Sequence, residues 1–214
     1  MRILSIDCAS ASCAVVAWED GQVRTQLIET MERGQDARLM PLVLAVMDQA
    51  SWGFDDLDRL AVTRGPGSFT GIRIGLATAR GIGFTASKPV LGVDRFAIHR
   101  AQQISSPKNL LVVLESRRQE LYVRAYPISH APTDATMLLP DEIAAMIAQD
   151  STMMIAGDGA VSAGVDASRV LLATEPEAVT AAMLAAQAGI DDPAYLPRPY
   201  YLRAPDVTIK KGCA

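Results

Sequence analysis

Asp7 ends the apolar run Ile3-Leu4-Ser5-Ile6 and is followed by the hydroxyl-rich stretch Cys8-Ala9-Ser10-Ala11-Ser12. A carboxylate at a strand end beside such a turn can hold Mg²⁺ through water next to a nucleotide. Gly157-Asp158-Gly159, after the run Met153–Ala156, could be the matching element from the second half of the chain. A third candidate is Gly65-Pro66-Gly67-Ser68-Phe69-Thr70-Gly71, because backbone N–H groups at the start of a following helix attract anions. Its spacing is neither G-x-G-x-x-G nor G-x-x-x-x-G-K-[ST]. Asp7, Ser10, Gly65, Gly67, Ser68, Gly157, Asp158 and Gly159 therefore form a candidate vestigial nucleotide or phosphate site. The competing reading gives the aspartates to turns and the glycines to a tight strand-to-helix connection capped by Ser68 or Thr70.

Other chemistries lack their residues. The two histidines, His99 and His130, form no His-x-x-x-His pair, and no G-x-S-x-G elbow exists. A helical zinc site and a hydrolase triad are thus not offered. Both histidines read as structural or solvated; no catalytic residue and no metal ligand is assigned. Cys8, Cys13 and Cys213 are odd in number and make no Cys-x-x-Cys, which favours reduced thiols over a disulfide frame. Cys8 and Cys13 sit in apolar surroundings and read as small buried hydrophobes.

These residues must be positioned by elements that the pattern predicts. Arg2–Asp7, Ser12–Glu19 and Gln22–Glu29 read as a meander of three strands, with Asp20-Gly21 as a hairpin turn. A helix capped by Asp36 runs to Ala50 with Pro41 inside it. Strand Leu57–Thr63, helix Gly71–Ala86, strand Pro89–Val93 and a helix capped by Asp94 follow. Similar vocabulary then recurs: strands Leu110–Leu114 and Leu121–Tyr126, helix Asp141–Gln149, strand Met153–Ala156 and helix Glu177–Gly189. The expectation is an α/β protein of two lobes, residues 1–104 and 105–214, joined near residues 100–108.

Gly67, Gly71, Gly75, Ala79 and Gly83 recur every fourth position and form one ridge on a helix. Each helical glycine costs about 1 kcal/mol relative to alanine, so close approach of another backbone must compensate. Leu39–Met47 is uncharged and apolar nearly all round; such a helix is covered on more than one side. One side can face its own sheet, and the other needs an internal core or a partner. The candidate interface is Leu39, Met40, Val43, Met47, Gly71, Ile72, Gly75, Ala79 and Gly83. On that reading Gly75→Leu breaks a complex and leaves the lobes folded.

The chain has 214 residues, a net charge of −4 and half its residues hydrophobic. Its longest basic runs are the pairs Arg117-Arg118 and Lys210-Lys211, so the basic stripe of a protein that grips nucleic acid alone is missing. The apolar N-terminal run is too short for a secretion signal, and no run reaches the roughly 20 apolar residues of a membrane span. A cytoplasmic protein without a membrane role is expected.

Ile3-Leu4-Ser5-Ile6-Asp7, the segment Gly65–Gly75, Glu115-Ser116-Arg117-Arg118-Gln119-Glu120-Leu121-Tyr122 and Pro199-Tyr200-Tyr201-Leu202-Arg203 together resemble the TsaB (YeaZ) family. The resemblance implies an acetate-kinase/Hsp70/actin-like (ASKHA) α/β fold, with two ribonuclease-H-like lobes of mixed sheets flanked by helices. It implies a non-catalytic scaffold subunit in formation of N6-threonylcarbamoyladenosine next to the tRNA anticodon. The partners so implied are the catalytic paralogue TsaD, met through the first two helices, and the ATPase TsaE. A homodimer is the alternative use of that surface, and tRNA is touched only indirectly. The resemblance fixes no cofactor of the chain's own; ATP or ADP with Mg²⁺ at the complex interface is the one the superfold admits. Many relatives carry Arg-Glu-His where this chain has Arg33-Gly34-Gln35-Asp36, and a threonine-serine pair near Cys8-Ala9-Ser10. The rival function is a nucleotide-dependent phosphotransferase or ATPase of the same superfold.

Overall fold

The computed structural model describes residues 1–103 and 109–202. The expected joint between lobes falls largely, and Arg203, Lys210-Lys211 and Cys213 wholly, outside the described residues. Strands β1 (Arg2–Asp7), β2 (Ser12–Glu19), β3 (Gln22–Thr30), β4 (Arg59–Thr63) and β5 (Val90–Val93) make one sheet in the order β3-β2-β1-β4-β5. The meander β1–β3 is antiparallel, and β1, β4 and β5 are parallel. The second sheet repeats this plan. It holds β6 (Leu110–Leu114), β7 (Leu121–Tyr126), β8 (Thr136–Leu138), β9 (Met154–Ala156) and β10 (Val170–Leu171), in the order β10-β9-β6-β7-β8. Here β6–β8 form the antiparallel meander, and β9 and β10 run parallel to β6.

The helices are α1 (Gln35–Ala50), α2 (Phe69–Thr85), α3 (Arg95–Gln102), α4 (Pro140–Gln149) and α5 (Glu177–Gln187). Strand alternation sends side chains to opposite faces of the first sheet. Leu4, Ile6, Val15 and Ala17 pack against Leu39, Val43, Val46, Met47, Ile72, Leu76 and Ala79 of α1 and α2. Ile3, Ala14, Val16 and Trp18 face Ala178, Ala181, Ala182 and Ala185 of α5 on the other side. Thus α5, from the second half of the sequence, completes the first sheet's core. The alanines let it lie close, and Arg59 ties its end by donating to the Ala185 and Ala188 carbonyls at 2.6 and 2.9 Å.

Two caps are informative. Ser68 caps α2 by accepting from the Gly71 N–H at 3.1 Å, and Asp94 caps α3 by accepting from the Ala97 N–H at 2.8 Å. Asp36 does not cap α1: Gly34, at φ 93°, occupies that position, and Asp36 lies in the first turn, where a negative charge complements the helix dipole.

The glycine ridge of α2 faces inward. A Cβ on Gly71 would sit 1.8 Å from the Cys8 carbonyl oxygen, and one on Gly83 would sit 2.4 Å from Val90 Cγ2. At Gly75 a Cβ would meet Val62, Cys8 and Ile6 at ordinary contact distance. The close backbone approach expected from the spacing exists, but the approaching chain is the protein's own sheet. Leu39, Val43, Met47, Gly71, Ile72, Gly75, Ala79 and Gly83 are accordingly buried within the chain. Their assignment to a partner surface is corrected, because their surfaces are already covered. Of that set only Met40 is exposed, at 40%. Gly75→Leu would press into the core and test folding rather than binding.

Candidate functional site

β1 and β9 end at the seam between the lobes, which brings Asp7 and Asp158 to one cavity of about 490 Å³. Its polar lining includes Ser10, Ser12, His99 and Glu177; its apolar wall includes Val161 and Leu171. Gly157 lines it as well, so Asp7, Ser10, Gly157 and Asp158 share one cavity. Gly67 and Ser68 reach Ser10 and Asp158 only across a much smaller space of about 30 Å³, room for roughly one water.

Asp7 is fully engaged. Its Oδ1 accepts from the Ala9 N–H at 2.9 Å and the Thr63 hydroxyl at 2.5 Å; its Oδ2 accepts from Ser10 at 2.5 Å and Ser12 at 3.4 Å. Burial and then repulsion by Glu177 raise its pKa, against Arg95 and the two hydroxyls of Ser10 and Thr63, which lower it. The glycine turns are engaged too. The Ser68 N–H donates to the Ala9 carbonyl at 2.8 Å, and the Gly159 N–H to the Val113 carbonyl at 3.0 Å. Gly67 lies so close to Ala9 that a Cβ would meet its carbonyl at 2.2 Å, and Gly157, at φ 109°, does the same to Val113 at 2.1 Å. Gly65 packs under Ile72, and its carbonyl accepts from the Arg95 N–H at 2.8 Å. These glycines are needed for contact between turns of the same chain.

At the floor of the seam lies a cluster that spacing did not reveal. The Arg95 side chain is 1% exposed. Its Nε and Nη2 donate to Glu177 at 2.7 and 2.6 Å, and Nη2 also to Asp158 at 2.8 Å. Glu177 Oε1 is also 3.1 Å from His99 Nε2. Burial by itself would raise the Glu177 pKa; the charge and hydrogen bonds of Arg95, with His99, outweigh it and hold the carboxylate well below its usual range. One signal in the sequence pointed here: Arg95 occupies the first position of α3, where a cation opposes the helix dipole and so needs another reason to be there. His130 is exposed on a loop.

A nucleotide with Mg²⁺ does not fit these residues. Both Asp7 oxygens are occupied by protein donors, and Arg95 is bound to two carboxylates. The N–H groups of Ser68 and Gly159 are spent on the chain itself.

The ion cluster makes stability pH-dependent with a definite sign. A carboxylate whose folded pKa is depressed contributes stability that is complete above its unfolded value, about 4.3, and is lost as pH falls toward the folded one. The gap in urea midpoint between the native chain and Glu177→Gln should therefore be constant from pH 7 to about 5 and narrow below about 4. A gap that widens toward low pH contradicts the assignment.

The family model described as TsaD, tRNA N6-adenosine threonylcarbamoyltransferase, matches residues 29–146. The tRNA threonylcarbamoyladenosine biosynthesis protein TsaB of Escherichia coli is 34% identical over 128 residues, 59% of this chain and 55% of that protein. Its namesake in Haemophilus influenzae is 28% identical over 124 residues, 57% and 52% of the two chains. The chain thus spans about half the length of these curated relatives. Among solved structures, YeaZ from Pseudomonas aeruginosa superposes with a TM-score of 0.71 at 23% identity, covering 94% of this chain and all of that one. The activator of 2-hydroxyisocaproyl-CoA dehydratase from Clostridium difficile, with bound ADPNP, gives 0.54 at 8% identity, covering 86% and 94%. These likenesses establish the two-lobed ASKHA architecture. No helix among the described residues is long and apolar enough to cross a membrane. A match over more than half of the chain, together with the curated and structural relatives, places this protein in the family of that threonylcarbamoyltransferase model and, within it, in the TsaB (YeaZ) group.

Proposed function

We propose that this protein serves tRNA threonylcarbamoyladenosine biosynthesis as a scaffold subunit that binds a TsaD paralogue through the outer faces of α1 and α2. The observation that carries this reading is the uncovered apolar side of α1. Met40 and Leu44 are 40% and 55% exposed, one turn apart, while Leu39 and Val43 bury the opposite side. Beside them a groove of about 420 Å³ between the two helices is lined by Met40, Phe54, Thr78, Gly81, Ile82 and Thr85. Exposed apolar side chains next to a groove are a usual mark of an interaction site. TsaE, ATP or ADP at the complex interface and indirect tRNA contact belong to the same reading and rest on the family alone. The engaged state of Asp7 and of the glycine turns speaks against the phosphotransferase alternative.

The test is co-purification and titration with the TsaD paralogue from the same source. Leu44→Asp should weaken binding by about 2 kcal/mol, roughly 30-fold, and leave the melting temperature of the free chain nearly unchanged. Undiminished affinity in both Leu44→Asp and Met40→Glu would remove this surface from the proposal.

A further inference from the structure

Cys8 and Cys13 line neither the seam cavity nor the α1–α2 groove. Their sulfurs are 3.7 Å apart, and both are free thiols. We infer that Cys8 and Cys13 form a reversible dithiol–disulfide site, oxidised by hydrogen peroxide, that clamps the turn between β1 and β2. In the β1–β2 register Asp7 faces Ala14, so Cys8 and Cys13 are the next facing pair and point to the same side. Facing residues on antiparallel strands hold their Cα atoms about 4.5–5.5 Å apart. That lies inside the roughly 4.4–6.8 Å that a disulfide spans, so the bond forms by side-chain rotation without moving a strand.

The hydrogen bond between the two sulfurs has no fixed donor, so either can attack first. The attacking thiolate displaces one peroxide oxygen as hydroxide, which takes up a proton to become water, and leaves a sulfenic acid. The other cysteine's sulfur then attacks the oxidised one; the S–O bond breaks, and the departing hydroxide takes the second thiol's proton. Two thiols and one peroxide become one disulfide and two waters. Both side chains are buried, so oxidant enters when the turn opens, and local opening sets the rate. The clamp bears on α2, because the Ala9 carbonyl accepts from Ser68 and the Cys8 carbonyl abuts Gly71.

The experiment treats the native full chain with hydrogen peroxide, blocks remaining thiols and maps its tryptic peptides. Arg2 and Arg24 bound one peptide that holds both cysteines. The expected result is that this peptide, unblocked, becomes lighter by two hydrogens, and that dithiothreitol restores it. Cys213→Ser should not change the yield, whereas Cys8→Ala should abolish the loss and leave oxygen adducts on Cys13. Oxygen adducts without loss of hydrogen in the native chain overturn the inference, as does a disulfide that includes Cys213. If Cys8→Ala does not fold, the map of the native chain decides alone.

Discussion

Glu177→Ala should destabilise the folded chain by about 3–5 kcal/mol, read as a fall in urea midpoint at neutral pH. Glu177 takes two hydrogen bonds from Arg95, which is 1% exposed and cannot turn to water. Removing the carboxylate leaves the guanidinium with Asp158, itself 39% exposed, as its remaining charged partner. An uncompensated buried charge costs far more than an ion pair contributes. The paired change Arg95→Met with Glu177→Leu should therefore recover most of the loss, although it removes more polar groups. If that double variant is less stable than Glu177→Ala alone, the cost does not come from a stranded charge. Because α3 carries Arg95 and α5 carries Glu177, the same measurement reports how firmly those helices are held together.

Opposite outcomes are expected from one substitution at two places on α2. Gly71→Ala should cost about 3 kcal/mol or more, at the upper end for overpacking, since its Cβ would meet the Cys8 carbonyl at 1.8 Å with main chain on both sides. At Gly81 nothing lies within 4 Å, so Gly81→Ala should stabilise by about 0.5–1 kcal/mol through helix propensity alone. Urea denaturation of both variants decides it. Equal effects would show that the ridge is spacing without contact.

Much of the fold was legible because apolar alternation and capping residues act locally. β1, β2 and the meander β6–β7 fall where the pattern places them, and Ser68 and Asp94 cap as their types predict. The short β8 and β10, of three and two residues, carry too few side chains to show a period. The glycine ridge was legible as close packing but not in its direction: a four-residue repeat says that something approaches and does not say what. Arg95 lies 63 positions from Asp158 and 82 from Glu177, so its place at the start of a helix could mark it as unusual but could not name its partners. Asp7 is marked by its place at a strand end, and its bonds to Ala9 and Ser10 are local to the turn; that Thr63 also donates to it depends on β4 lying parallel to β1.

The passage of α5 beneath the first sheet has a consequence for synthesis. While the ribosome is still adding the middle of the chain, Ala14, Val16 and Trp18 have no lid, because Ala178–Ala185 have not yet been made. Nascent molecules thus carry a bare greasy sheet from the completion of β5 until α5 is made, and chaperone demand should peak before residue 178 leaves the exit tunnel.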